Sequence, residues 1–473
     1  MEFVTRICRP RFWSRYLHIL LSFSVLSVFL LFFHQLKPTG HDFVSNMILT
    51  GWGGSVRERS MDTTTGVLPI VFPHKEEKCS FTGSLEGIVP ELPVGRARYD
   101  NRRLLRIYDY IRIGNEWEDL VSRYDLCLST QSSLDRLYWL PQVLEKWRGP
   151  LSLAVHITSE EEWLVLNLYT RFLERCFPAF RDQVSVHLAL PASLGSFCFD
   201  EDKVGNWNVT NFEEVEFQNQ CHEAKEYMQF LMEAFPTTHK DKLALKEVYP
   251  QNHMRNIARK ACGTDWTYST DVDIIPREGM AEMLQAFYDE MQMQPSPCKK
   301  CAFVIPTFEL EEGKEFPETK HEIVQYFRSG AARQFHGKIF DTGHKATNYL
   351  LWATTNFDDG PVKISHKVIE SQTYLYEPFY ISSDSIPPFD ERFLGYGFTR
   401  NSQFQEALYA GWNFSVLTPV FSIHWGLQSP KTLLFPKKQG IGKNVRQEQT
   451  SANSKLFNKI LKEMKLKKQE GIF

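Results

Sequence analysis

The sequence predicts an α/β fold with a mainly parallel sheet, on three observations. Between residues 125 and 190, apolar runs of strand length alternate with stretches of helical period. A further apolar run, Trp266-Thr-Tyr-Ser269, leads into a pair of acids, Asp271-Val-Asp273. Hydrophobic residues make up 42% of the chain and aromatic residues 14%, enough for a well-packed body.

Taken in chain order, 21 residues without Lys, Arg, Asp or Glu lie between Arg15 and Lys37. That length matches a bilayer core. Arg6, Arg9, Arg11 and Arg15 precede it, so residues 1–15 are expected in the cytosol, 16–36 in the membrane and the remainder in the lumen. No Ala precedes Ala97, so an A-x-A-like cleavage site is missing and an uncleaved signal anchor is expected in place of a signal peptide. The Phe-rich span suits the thinner membranes of the early secretory pathway. Residues 37–77, with Gly51-Trp-Gly-Gly-Ser55 and Thr63-Thr-Thr-Gly66, read as a stem, and 78–473 as the luminal domain. The sequons at Asn208 and Asn413 fit luminal glycosylation. Of the cysteines, Cys198 and Cys221 are spaced to close a local loop. Cys298-Lys-Lys-Cys301 lacks a second C-x-x-C, which favours a disulfide or buried thiols over a metal. A net charge of −3 argues against nucleic acid as a partner.

Asp125–Thr130 reads as a strand and Ser133–Trp147 as a helix closed by Gly149-Pro150. Leu151–Ile157 is a second strand, Ser159–Cys176 a helix opened by three Glu, and Val184–Leu190 a third strand. Ligands of such sheets sit beyond the carboxyl ends of the strands, where Ser129-Thr130-Gln131 falls; these residues either meet a nucleotide or cap the helix. Residues 200–248 read as a polar helical segment, Gln251–Arg259 as a helix, Cys301–Pro306 as a strand, Val416–Ile423 as one late strand and the last 20 residues as an amphipathic helix. A second acid pair, Asp200-Glu-Asp202, has no strand leading into it and reads as a solvated loop. Asp271 and Asp273, by contrast, stand at a strand mouth, where two carboxylates suit Mn²⁺ or Mg²⁺ carrying a nucleotide diphosphate.

Several segments together resemble one family. Tyr249-Pro-x-Asn252-x-x-Arg255-Asn256-x-Ala258-Arg259, then Asp271-Val-Asp273-x-x-Pro276, is similar to glycosyltransferase family 49, which includes β-1,4-glucuronyltransferases, and to the second catalytic domain of the LARGE proteins. Val304-Ile-Pro306-Thr-Phe308-Glu309, Lys320-x-Glu322, Gly343-His344-x-Ala-Thr347-Asn348-Tyr349-x-x-Trp352 and Glu377-Pro378-Phe379-Tyr380 follow in order. Phe389-Asp390-Glu391-Arg392-Phe393-x-x-Tyr396-Gly397-Phe398 and His424-x-Gly426 complete the set.

The resemblance implies a GT-A (Rossmann-like) domain in a type II Golgi membrane protein. It implies inverting transfer of glucuronic acid from UDP-glucuronate to a β-xylose on O-mannosyl glycans of α-dystroglycan-like proteins, priming later polymerisation by a LARGE-type enzyme. Under it Asp271, Asp273 and His424 hold Mn²⁺. Arg255 pairs with an Asp or a phosphate, Asn256 serves the uridine, and Lys320 meets the donor carboxylate or is an ordinary surface lysine. Thr130, His344 and Asn348 are further substrate contacts. Glu391, or else Asp390, is the general base unless paired with Arg392. Trp352, Tyr380 and Trp425 stack on sugars or pack in the core. The family pattern has a lysine after the histidine where this chain has Trp425, which opens the choice of donor: UDP-GlcNAc transfer in β-1,3 linkage to lactosamine is the second reading, and a catalytically silent partner of LARGE-type enzymes the third.

Overall fold

The computed structural model describes residues 92, 96–194, 221, 223–236, 248–355, 359–429 and 442–471, all within the compact unit Asp62–Phe473. The expected tail, anchor and stem, the Asp200–Asp202 pair, Cys198 and Asn208 lie outside the described residues. No helix among the described residues is long and apolar enough to cross a membrane.

A hairpin of β1 (Arg98–Tyr99) and β2 (Leu105–Arg112) leads to α1 (Trp117–Arg123). The alternation read from sequence follows: β3 (Leu126–Ser133), α2 (Leu140–Lys146), β4 (Leu151–His156), α3 (Glu160–Cys176), α4 (Pro178–Gln183) and β5 (Val184–Pro191). After α5 (Ala224–Ala234) come α6 (Gln251–Lys260), β6 (Trp266–Ser269), β7 (Ile275–Pro276) and α7 (Met280–Gln292). The second half holds β8 (Cys301–Val304), β9 (Thr307–Leu310), α8 (Lys320–Ser329), β10 (Ala332–Gln334), α9 (Tyr349–Thr354), β11 (Lys363–Lys367) and β12 (Tyr380–Ser383). It closes with α10 (Thr399–Tyr409), β13 (Asn413–Thr418), β14 (Ser422–Trp425) and α11 (Gly442–Gln469).

The fold is α/β with a mixed sheet. Ten strands run in the order β1-β2-β5-β4-β3-β6-β12-β8-β13-β11, and a second sheet in the order β10-β9-β14-β7. Strands β5, β4, β3 and β6 are parallel, as helical crossovers require. Strand β12 returns antiparallel between β6 and β8. Leu128, Val155, Phe172, Leu188 and Tyr268 belong to the core on which the parallel strands close, and Val304, Phe308, Trp352, Phe404 and Val416 to a second core.

Three local expectations are corrected. The helix expected over Ser133–Trp147 is a 3₁₀ segment, Leu134–Trp139, followed by α2; Pro141 has no N–H to donate back into a preceding turn, so it begins the α-helix. The single strand expected over Val416–Ile423 is two, β13 and β14, separated by Pro419-Val420-Phe421; proline cannot donate to a ladder. Cys221 pairs with Cys176 at the end of α3, their Cα atoms 5.1 Å apart, and not with Cys198. Cys298 and Cys301 form a local disulfide, and Cys127–Cys262 ties β3 to the end of α6 across 135 residues. Closing a loop that long stabilises by roughly 4–5 kcal/mol on chain entropy alone.

The expected terminal helix extends further than the last 20 residues and docks. Phe457, Ile460 and Met464 of α11 pack on Phe393. Asn453 Nδ2 donates to the carbonyls of Leu394, Tyr396 and Gly397 at 2.9, 3.2 and 3.0 Å. Gly395 (φ 69°) is required there, since a Cβ would stand 2.2 Å from Val248 and 2.6 Å from Gln449.

Two fully buried imidazoles make the fold acid-sensitive. His187 Nδ1 accepts the Tyr110 N–H at 2.9 Å, and the His156 Nδ1 lies 3.1 Å from the Ala189 carbonyl. Burial pushes both down to about 4. In the unfolded chain they take up protons below about pH 6.5. Between those two values the unfolded state binds more protons, so stability drops as pH falls through that window. The loss is on the order of 3 kcal/mol for each histidine. The expected result is a melting temperature that is flat above pH 7 and declines from about pH 6.5 toward 4. A pH-independent melting temperature down to 4.5 would contradict it.

Candidate active site

Strand β6 carries the acid pair to the sheet edge. Beyond Ser269 the chain stays registered for one residue, Thr270 N donating to Ser129 O at 2.9 Å, and then turns, Ile274 N donating to Asp271 O at 3.0 Å. Strand β7 next pairs antiparallel with β14, Ile275 opposite Ile423. Carrying that register one step further sets His424 opposite Ile274, beside Asp273. The His424 Nε2 lies 3.7 Å from Asp273 Oδ2. Arg136, from the 3₁₀ segment after β3, reaches the same oxygen at 2.8 Å. Burial lowers the His424 imidazole below its ordinary range, leaving it neutral with a lone pair to give.

Asp271 is held differently. Its Oδ1 accepts from Gln131 Nε2 at 3.1 Å and from Arg255 Nη2 and Arg400 Nη2 at 3.0 Å each. Tyr249 in turn donates to the Gln131 amide oxygen. Burial would raise the Asp271 carboxyl, but the Arg255 and Arg400 guanidiniums outweigh it and hold the group well below the usual carboxylate range. Burial, and then the neighbouring Arg255, push Arg400 down to about 10. Arg400 also donates to the Ser269 carbonyl at 3.0 Å and lies 4.3 Å from the centroid of the Phe379 ring.

Further acids and imidazoles rim the site. Glu309 is fully buried, paired with Arg333 at 2.7 Å and accepting from His336 N at 3.0 Å. The Phe335 ring is 5.3 Å from His424 and 5.1 Å from His344. Burial pushes His344 well below its ordinary range. Two groups have metal-ligand chemistry with their ligand atoms within 4.8 Å of one another: His336, His344 and Glu377, and Asp100, His253 and Glu391. The donor set of Asp273 and His424, a carboxylate and a neutral imidazole, fits a Mn²⁺-like cation shared with phosphate oxygens.

A family model described as glycosyl-transferase for dystroglycan matches residues 125–469. The chain belongs to glycosyltransferase family 49. It is 30% identical over 310 residues to the mouse (Mus musculus) β-1,4-glucuronyltransferase 1, covering 64% of this chain and 68% of that protein. It is 25% identical to the zebrafish (Danio rerio) xylosyl- and glucuronyltransferase LARGE2s, covering 72% and 37%. Among solved structures, Staphylococcus aureus TarS 1-349 with UDP-GlcNAc aligns with a TM-score of 0.34 and 10% identity, covering 72% of each chain.

The other expected site residues are placed as follows in this family 49 chain. Thr130 is buried beside Gln131, its hydroxyl without a hydrogen-bond partner among the described residues. Asn256 is saturated by the 387–392 loop: its amide donates to Phe389 O at 2.8 Å and Glu391 Oε1 at 3.0 Å and accepts from Phe389 N at 2.9 Å. It therefore clamps that loop. Asp390 is gripped by Arg392, with bonds of 2.7–3.0 Å. Glu391 faces Asn256 and, at 3.7 Å, His253. Lys320 is fully buried; it donates to Thr355 O and, at 2.8 Å, to Thr418 Oγ1, and lies 4.4 Å from the Trp352 ring centroid. Its ammonium belongs to the second core, which corrects the surface reading. Asn348 (φ 51°) caps α9 through Leu351 N. Trp352 and Tyr380 are buried in the second core, where Trp352 Nε1 donates to Leu417 O at 2.8 Å. Asn413 is exposed at the start of β13.

Arg136 and Arg400 were not singled out by sequence, whereas Gln131 was read with Ser129 and Thr130 as meeting a nucleotide or capping the helix, and it holds Asp271. Arg400 left a trace, two residues past the Tyr396-Gly397-Phe398 motif. Replacing Arg400 with Met of similar length leaves Asp271 with Arg255 as its one guanidinium partner, beside the Gln131 amide. The expected cost is about 1–3 kcal/mol in chemical denaturation. Asp271→Asn in the same background should recover part of it, measured as a coupling in a double-mutant cycle. Strictly additive losses would show that Arg400 and Asp271 do not act as a pair.

Proposed function

We propose that this chain is a metal-dependent, inverting UDP-sugar glycosyltransferase of GT-A architecture. It transfers glucuronic acid from UDP-glucuronate in β-1,4 linkage to xylose on O-mannosyl glycans of α-dystroglycan-like acceptors. The observation that carries this reading is the meeting of Asp273 with His424, 3.7 Å apart, beside an Asp271 fixed by two arginines. Family membership and the similarity to β-1,4-glucuronyltransferase 1 support the donor and the linkage. Asp271, Asp273 and His424 would hold the cation, which when bound would offset the charge that gathers on the departing diphosphate. Arg136 and Arg400 supply fixed positive charge on either side, with no reorganisation needed during reaction. The charge-free apolar stretch between Arg15 and Lys37 supports a type II Golgi membrane protein with this domain in the lumen, acting before a LARGE-type enzyme.

Trp425 favours attention to a second donor. Its indole donates to Gln142 Oε1 at 2.8 Å and sits 6.1 Å from the Phe316 ring, so no cation follows His424. UDP-GlcNAc is the alternative.

A donor panel on the full chain in detergent, with Mn²⁺ and a β-xyloside acceptor, tests the reading. Transfer from UDP-glucuronate is expected. Asp273→Asn is expected to stay folded and to lose about 100-fold or more in kcat/KM. Full Mn²⁺-dependent activity in that variant would remove the metal assignment, and transfer from UDP-GlcNAc alone would replace the donor. A chain that binds UDP but transfers nothing would be a silent partner.

A further inference from the structure

Single displacement at an anomeric carbon needs a group that takes the acceptor hydroxyl's proton. Most carboxylates near the acid pair are already held by guanidiniums. Asp271 is paired with Arg255 and Arg400, Asp273 with Arg136, Glu309 with Arg333, and Asp390 with Arg392. A guanidinium at hydrogen-bond distance stabilises the ionised carboxylate and weakens it as a base. Glu391 accepts from Asn256 and lies against His253 on α6.

Glu377 is different. Its Oε1 is within hydrogen-bond distance of His336 Nδ1 at 3.4 Å and lies 4.0 Å from His344 Nε2; among the described residues no Arg or Lys is within ion-pair distance of it, Arg400 acting on it only at longer range. Burial keeps His344 uncharged, so that neighbour does not neutralise the carboxylate. The side chain is 19% exposed, within reach of a substrate.

The topology brings Glu377 to the acid pair. Strand β12 runs antiparallel to β6 with Ile381 opposite Tyr268. Glu377 lies three residues before β12, off the same end of the sheet as Asp271-Val-Asp273. Two side-chain bridges place it there independently. Phe379, two residues on, lies under Arg400, which bonds Asp271. His344, beside Glu377, shares the Phe335 ring with His424. At Gly343 a Cβ would approach Glu377 Oε1 to 2.9 Å, so glycine there leaves the carboxylate room.

We propose that Glu377 is the general base of the transfer, a role that rests on the donor reading above. The acceptor hydroxyl oxygen bonds to the anomeric carbon of the UDP-sugar while the bond from that carbon to the UDP oxygen breaks. The electron pair leaves on the diphosphate, and the hydroxyl proton passes to the Glu377 carboxylate.

The test is steady-state kinetics on the full chain with the donor that the wild type uses, together with calorimetric binding of UDP with Mn²⁺. Glu377→Gln is expected to lower kcat by about 10²–10⁴-fold. Both KM values and the UDP–Mn²⁺ affinity should stay within about threefold, the signature of an interaction made only in the transition state. Glu377→Asp keeps a carboxylate but withdraws it by one methylene; a loss of up to about 10²-fold in kcat with KM retained is expected, and it stands as the test should the Gln variant not fold. Wild-type kcat in either folded variant overturns the proposal. Loss of UDP–Mn²⁺ affinity also overturns it and makes His336, His344 and Glu377 a metal site instead. A wild-type chain inert toward every UDP-sugar fails the donor reading itself, and the base falls with it.

Discussion

The structure turns on one carboxylate. Asp271 ends the fourth parallel strand and receives Gln131 from the first, Arg255 from the helix that precedes it and Arg400 from a helix far along the chain. The carboxylate thereby adds the distant Arg400 helix to three segments that already pack together, β3 and β6 being paired and α6 tied to β3 through Cys127–Cys262. Burying two guanidiniums costs more solvation than one carboxylate returns, which is why Arg400 is pushed down toward about 10.

How far the sequence speaks depends on whether a residue's role is local. The β-α-β-α-β alternation was legible because period and punctuation act over a few residues: Ser159 caps α3 through Glu162 N as the run of Glu suggests. The acid pair was legible for the same reason, a strand running into two carboxylates. Roles set by tertiary burial were not. Lys320 looks like any lysine at a helix start, and only the fold supplies the Thr418 hydroxyl and the Trp352 face around it. Arg400 belongs to a helix whose Thr399, Arg400, Asn401, Ser402 and Gln403 are all buried. Such a helix shows no polar face to contrast with an apolar one, so periodicity is silent there. The partners of Cys221 and Asn256 likewise depend on which elements come to lie side by side.

Strand pleating accounts for the chain's departure at Trp425. Successive side chains on a strand point to opposite faces. His424 on β14 faces Asp273, while Trp425 faces Gln142 and Phe316. A residue can therefore change from lysine to tryptophan without displacing the acid–imidazole pair. Its effect falls on what borders that pair, the side lined by α2 and the loop before α8.

The docking of α11 has a genetic consequence. Asn453 and Gln449 hold the backbone of the Leu394–Gly397 loop, and that loop launches the helix carrying Arg400. A stop codon shortly before Gln449 would spare every side chain around the acid pair and still remove the clasp that sets Arg400 in place. Such an allele would read as nearly full-length and behave as a null, and missense changes along the buried stripe of Phe457, Ile460 and Met464 would be graded versions of it.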